Sequence, residues 1–180
     1  MRVPARETVG LVVDMQTRLF PYMHDSLSLV RNLRTLISGL RLLEIPLLVT
    51  EQYRKGLGET IAPMQDAFER FEPIEKTAFS CLDEPAFQKA LSEIGRRYVV
   101  MGGIEAHVCL LQTSMDLLEA GYTPVLVEDC TSSRKPNDKV TAIERVRATG
   151  GVVTTAESIL FELCRYSGTD TFRELSKLVK

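Results

Sequence analysis

The chain is short of several things, and each shortage narrows what it does. Its 180 residues include two histidines, His24 and His107, too few for a histidine-rich metal centre. No metal and no cofactor is therefore expected. Four cysteines stand at positions 81, 109, 130 and 164, with no CxxC pair and none of the density of a secreted disulfide scaffold. They read as thiols in a reducing compartment. Lys plus Arg number 22 against 24 Asp plus Glu, and no basic block is present, so nucleic acid and anionic membrane are not expected partners. No apolar run approaches the roughly 20 residues of a membrane span. The opening MRVPARET is too short and too polar for a signal peptide. A cytoplasmic protein is the expectation. Linkers and internal repeats are also missing, and at this length the reading is one domain over residues 1–180.

What is present is a regular alternation of strand and helix. Val9 to Val13 is a continuous apolar run closed by Asp14, which fits a buried strand with a carboxylate at its tip. Leu29, Leu33, Leu36, Leu40 and Leu43 then repeat at helical spacing until Pro46. PLLVT is a second strand with Glu51 at its tip, and EQYRKGLGET reads as a loop over the carboxyl edge. A short helix is expected over 62–71, then a brief strand in FEPIEK that ends near Lys76 and that Pro73 makes weak or an edge. Pro85 opens a helix with Phe87, Leu91 and Ile94 inward. Tyr98 to Met101 is the next strand, ended by Gly102 and Gly103, and helical spacing from Ala106 places Val108, Leu111, Met115 and Leu118 on one face. TPVLV is a strand tipped by Glu128 and Asp129, TSSRKPND a polar turn, and a helix runs to about Ala148. VVTT closes the strands. Two helices finish the chain, the second opening with Thr171 and Glu174 at capping-box spacing. With no hairpin signal, this order implies right-handed βαβ units and a three-layer α/β/α fold around a parallel sheet.

The chemistry gathers at strand tips. Cys109 falls in the first turn of its helix, where free N–H groups and the helix dipole favour thiolate, so its pKa is expected below the ordinary value of about 8.5. It is the candidate nucleophile and the most reactive thiol expected. In an open parallel sheet the ligand sits beyond the carboxyl ends of the strands, and Asp14, Lys76 and Cys109 all land there. Asp14 would serve as base, with Lys76 as the cation that holds it ionised.

Three motifs, VVDMQ around Asp14, EKTAFSC around Lys76 and GGIEAHVC leading into Cys109, resemble the isochorismatase-like cysteine hydrolases, in the right order and on the expected elements. The resemblance runs from the first strand to the closing helices. It implies a six-stranded parallel sheet in a Rossmann-like fold, and a catalytic triad of Asp14, Lys76 and Cys109. It also implies a cis peptide between Ile104 and Glu105, with the backbone N–H groups of Glu105 and Cys109 as an oxyanion hole. The implied reaction is acyl transfer to sulfur and hydrolysis of the thioester, on a small amide, ureido or carbamoyl compound. Relatives that cleave the vinyl ether of isochorismate manage without the cysteine, so its presence favours an amide-like substrate. Nicotinamidases of the family carry an Asp-x-His metal pattern after the second strand, where this chain reads EQYRKGLGET. A metal-bound nicotinamide site is not expected. A homo-oligomer is.

Other residues have positional claims only. Glu51, Gln52 and Cys81 are possible pocket residues, and Ser132, Ser133 and Arg134 stand where they would touch substrate, a neighbouring subunit, or merely cap a helix. A Cys109–His107 dyad is not expected, since residues two apart at a helix start diverge. Cys130 and Cys164 read as structural. The contrasting functional class is a silent binding or scaffold protein that keeps the fold without turnover.

Overall fold

The apolar runs around Val9, Val49, Val99, Val125 and Val153 have little polar surface to give to water, and with a short sixth strand at Ile74 they pair as one parallel sheet. The computed structural model describes residues 2–180. Its strands are β1 (Thr8–Val13), β2 (Leu47–Gln52), β3 (Ile74–Lys76), β4 (Tyr98–Ile104), β5 (Thr123–Ser132) and β6 (Val152–Thr154). The helices are α1 (Ser26–Leu42), α2 (Arg54–Leu57), α3 (Ala62–Gln65), α4 (Pro85–Ile94), α5 (Leu111–Glu119), α6 (Pro136–Ala148), α7 (Ala156–Cys164) and α8 (Asp170–Leu178). Among the described residues no helix is long and apolar enough to cross a membrane.

Strand alternation divides the core into two layers. Val12 and Val100 pack with Leu29, Leu33, Leu36 and Leu40 of α1, Leu160 of α7 and Leu175 of α8. Val9, Leu11, Val13, Val99 and Met101 pack on the other face with Phe87 and Leu91 of α4, Leu110, Leu117 of α5, and Val146 of α6. Burying each large side chain of the α1 stripe contributes about 1.5–3 kcal/mol, so tertiary packing rather than helix propensity fixes that helix.

Strand order reverses at β1. The chain goes from β1 outward through β2 to β3, then returns to β4 on the other side of β1 and proceeds outward again to β6. The crevice between the carboxyl ends of β1 and β4 is the switch point, the place where connections diverge to opposite faces and leave room for a ligand.

Several expected boundaries differ. Gly102 and Gly103 do not end β4, which continues through them to Ile104. A Cβ on Gly103, whose φ is 124°, would lie 2.1 Å from the Val13 carbonyl oxygen, so glycine here is what lets β4 reach the tip of β1. β5 likewise runs past Glu128 and Asp129 to Ser132, because its register against β4 shifts beyond Met101. The polar stretch after β2 contains the helical turn α2, and the helix expected over 62–71 is the single turn α3. The helix start at Ala106 is a π turn, Ala106–Leu110, which leads into α5. The extra residue in that turn rotates α5: Leu111 is buried as expected, but it is joined by Leu110, Ser114 and Leu117, while Val108, Met115 and Leu118 are only partly buried. At α8 the cap is Thr169, whose hydroxyl accepts from the Phe172 N–H at 3.0 Å, two residues before the expected Thr171.

Candidate active site

Asp14 comes directly after the last residue of β1 with φ of 51°, a left-handed conformation uncommon for a residue with a Cβ. Its N–H donates to the Thr50 carbonyl at 3.2 Å and its own carbonyl accepts from the Gln16 N–H at 2.7 Å. These bonds hold the turn. The carboxylate then receives two further partners: the Thr50 hydroxyl on Oδ1 and the Lys76 ammonium on Oδ2, each at 2.7 Å.

Both members of the Asp14–Lys76 pair are fully buried. Two charges out of water persist only with close geometry and further hydrogen bonds. Lys76 has them, since its Nζ also lies 2.7 Å from Gln52 Oε1 and 3.2 and 3.1 Å from the carbonyls of Ala78 and Phe79. Burial works against the charged form of Lys76, but Asp14, with Cys109 and Cys81 nearby, outweighs it and raises the pKa above the ordinary value.

Cys109 sits in the π turn at the end of β4, 6% exposed, with its thiol directed at Gln52 Oε1 at 4.0 Å. Burial first, and the Asp14 carboxylate second, push this thiol well above its ordinary range, with Lys76 offsetting part of the effect. This reverses the expectation of a depressed pKa. The helix start supplies N–H groups and Lys76 a cation, but closure of the site and the carboxylate beside the sulfur outweigh them. Burial and the neighbouring carboxylate both favour the neutral thiol over the thiolate.

A second set of contacts braces the π turn. The Ile104–Glu105 peptide bond is cis. Glu105 Oε2 accepts from the Arg134 N–H at 3.1 Å and from its Nε at 3.0 Å. His107 Nδ1 lies 2.9 Å from the Ser133 hydroxyl and its Nε2 is 3.8 Å from Asp138, so the ring serves β5 and α6 rather than the thiol. Ser132 donates to the His24 carbonyl at 2.6 Å. Residues 132–134 thus find their partners within the chain.

The three pocket candidates separate. Gln52 joins the site. Glu51 faces the other way along β2, fully buried, with Oε1 accepting from the Thr60 N–H and hydroxyl at 2.7 and 2.8 Å and Oε2 3.5 Å from Arg54 Nε. It anchors the loop through Thr60 and Arg54. Cys81 is sealed beneath the ion pair beside Thr50 and Thr113, its thiol raised to about 11 by burial. All four cysteines are free. Among the described residues no group of three or more His, Cys, Asp or Glu converges to hold a metal ion.

A match to the isochorismatase domain covers residues 8–158. The chain belongs to the isochorismatase-domain family. It is 41% identical over 182 residues to isochorismatase domain-containing protein 1 of Salmo salar, covering 99% of this chain and 62% of that protein. It spans about three-fifths of that relative's length. Among solved structures, the MAR1 ribonuclease of Caenorhabditis elegans superposes with a TM-score of 0.92 at 34% identity, covering 99% of this chain and 92% of that one. The YcaC gene product of Escherichia coli, described as an octameric hydrolase of unknown specificity, gives a TM-score of 0.92 at 20% identity, over 99% and 89% of the two chains. At that identity the likeness speaks for the fold alone.

Within this isochorismatase domain, two residues that touch the candidate triad's surroundings were not legible beforehand. Thr50 carries a signal in hindsight, since it alternates with Gln52 on one face of β2. Gln16 carries none. Its fully buried amide pairs with the backbone of Gln52, and the only local sign is an isolated antiparallel bridge between Gln16 and Thr60.

Proposed function

We propose that the chain is a cysteine hydrolase acting on a small amide, ureido or carbamoyl compound through a thioester on Cys109. The observation that carries this reading is the buried Asp14–Lys76 pair, 2.7 Å apart, beside the Cys109 thiol at the sheet's switch point. As the sulfur attacks the carbonyl carbon, its proton passes to Asp14. Lys76 keeps Asp14 ionised until that moment and balances the transferred charge afterwards. The carbonyl oxygen becomes an oxyanion, for which the backbone N–H groups of Glu105 and Cys109 are the proposed donors. Collapse breaks the C–N bond, and protonated Asp14 gives its proton to the leaving amine. Water then attacks the thioester, Asp14 takes one proton from it, and that proton returns to the departing sulfur. The products are an acid, or a carbamate, and an amine or ammonia.

RNA is not the substrate in this reading, although one relative is named a ribonuclease, because the balance of 22 basic and 24 acidic residues offers no phosphate-binding track. A homo-oligomer is part of the proposal. Tyr53 and Phe79, both exposed, lie just beyond β2 and β3 at the same edge as the triad, and a partner subunit or a substrate would cover them. The test is a screen of small amides, ureas and carbamoyl compounds for ammonia release, with RNA included, alongside sedimentation for the oligomeric state. Ammonia release that Cys109→Ala abolishes supports the reading. Binding without turnover across the screen would favour a silent scaffold.

A further inference from the structure

Gln52 lies between the two halves of the candidate site, and every polar atom of its side chain is committed. Its Nε2 donates one of its two N–H groups to the Thr77 carbonyl at 2.6 Å, which fixes the amide's orientation. Its Oε1 accepts from Lys76 at 2.7 Å, the same distance at which Asp14 accepts, and faces the Cys109 thiol at 4.0 Å. Lys76 has three protons for four acceptors, so what Gln52 takes is withheld from Asp14. The backbone of Gln52 is gripped as well. Gln16 accepts from the Gln52 N–H at 2.7 Å, donates to its carbonyl at 2.9 Å, and donates to the Gly58 carbonyl at 2.7 Å. Both glutamines are buried, 0% exposed for Gln16 and 8% for Gln52.

We infer that Gln52 is a positioning residue for the reaction at Cys109: its carbonyl oxygen shares the Lys76 ammonium with Asp14 and receives the resting thiol hydrogen, while Gln16 holds it in register. This rests on the cysteine-hydrolase reading and adds a fourth member to the unit. The choice of an amide has a physical reason. A neutral acceptor aligns the ammonium without adding negative charge beside the sulfur, where Asp14 already supplies one. A glutamate would align it equally well but would disfavour thiolate.

Two substitutions should displace the thiol in opposite directions. The charged groups facing the Cys109 sulfur are Asp14 from β1 and Lys76 from β3, with the Cys81 thiol beneath. Gln52→Glu adds a carboxylate to this set and should move the pH profile of Cys109 alkylation by iodoacetamide upward by about one unit or more. Gln52→Met, similar in size and without an acceptor, removes the partner of the neutral thiol and frees Lys76, so the profile should move downward. Both variants should lose turnover. A residue that merely fills space would shift neither profile, or both in one direction, and either result overturns the inference. If one variant fails to fold, the other is decided by the sign of its own shift. Alkylation requires no substrate, so the two readings fail separately. Ammonia release that survives Cys109→Ala removes the hydrolase reading, whereas a Cys109 alkylation profile indifferent to both changes removes only the role of Gln52.

Discussion

Cys109 stands between two polar clusters that resemble each other in bond length and differ in their contact with water. On one side Lys76 meets Asp14 at 2.7 Å with neither side chain exposed. On the other Arg134 meets Glu105 at 3.0 Å with side chains 61% and 9% exposed. The bonds are of one kind, but solvent screens the second pair and not the first. Bond length therefore says little about what each pair does. In the proposed reaction the sealed pair acts on the sulfur without solvent screening. The open pair holds a turn in place.

The largest effect should come from the atom both clusters serve. Cys109→Ala should lower turnover of any amide found to be a substrate by about 10³-fold or more, with the urea midpoint almost unchanged. Next comes the sealed pair. Lys76→Met leaves a buried carboxylate without its cation and should cost about 3–5 kcal/mol of stability, read from urea unfolding. Adding Asp14→Asn to it should recover part of that loss, since the orphaned charge is then gone. The pH dependence has a definite sign. Lys76 has its pKa raised in the folded chain, so the pair's contribution is complete below the unfolded lysine value of about 10.4 and is lost as pH rises through the folded value. The gap between wild type and Lys76→Met should stay constant from about pH 7 to pH 9.5 and narrow above that. Smallest is the open pair. Arg134→Ala should cost about 1 kcal/mol or less. A loss equal to that of Lys76→Met would erase the distinction between the clusters.

The sequence made one cluster legible and hid the other. Asp14, Lys76 and Cys109 end apolar runs or open a helical one, and in a parallel sheet such ends fall on one edge, so their convergence comes from the pattern. The bracing of Glu105 and His107 by residues 132–134 depends on β5 continuing past Glu128 and Asp129 through an irregular register, which no periodicity announces. The π turn was hidden for the same reason: one extra residue in a turn leaves the apolar count intact while rotating which of those residues are buried. Gln16 shows the limit most clearly, because VVDMQ includes it but nothing local says that its amide pairs with a distant backbone.

The proposed chemistry depends on Cys109 resting as a neutral thiol held beside its base, and site-resolved alkylation of Cys109 from pH 6 to 11, in wild type and in Asp14→Asn, probes that state. Burial and the Asp14 carboxylate both raise the thiol's pKa, so the wild-type rate should still be climbing above pH 9, and Asp14→Asn should move the rise to lower pH. A wild-type rate already level at pH 7, with no displacement on removing the Asp14 charge, would mean that a preformed thiolate occupies the site and would contradict a resting neutral thiol.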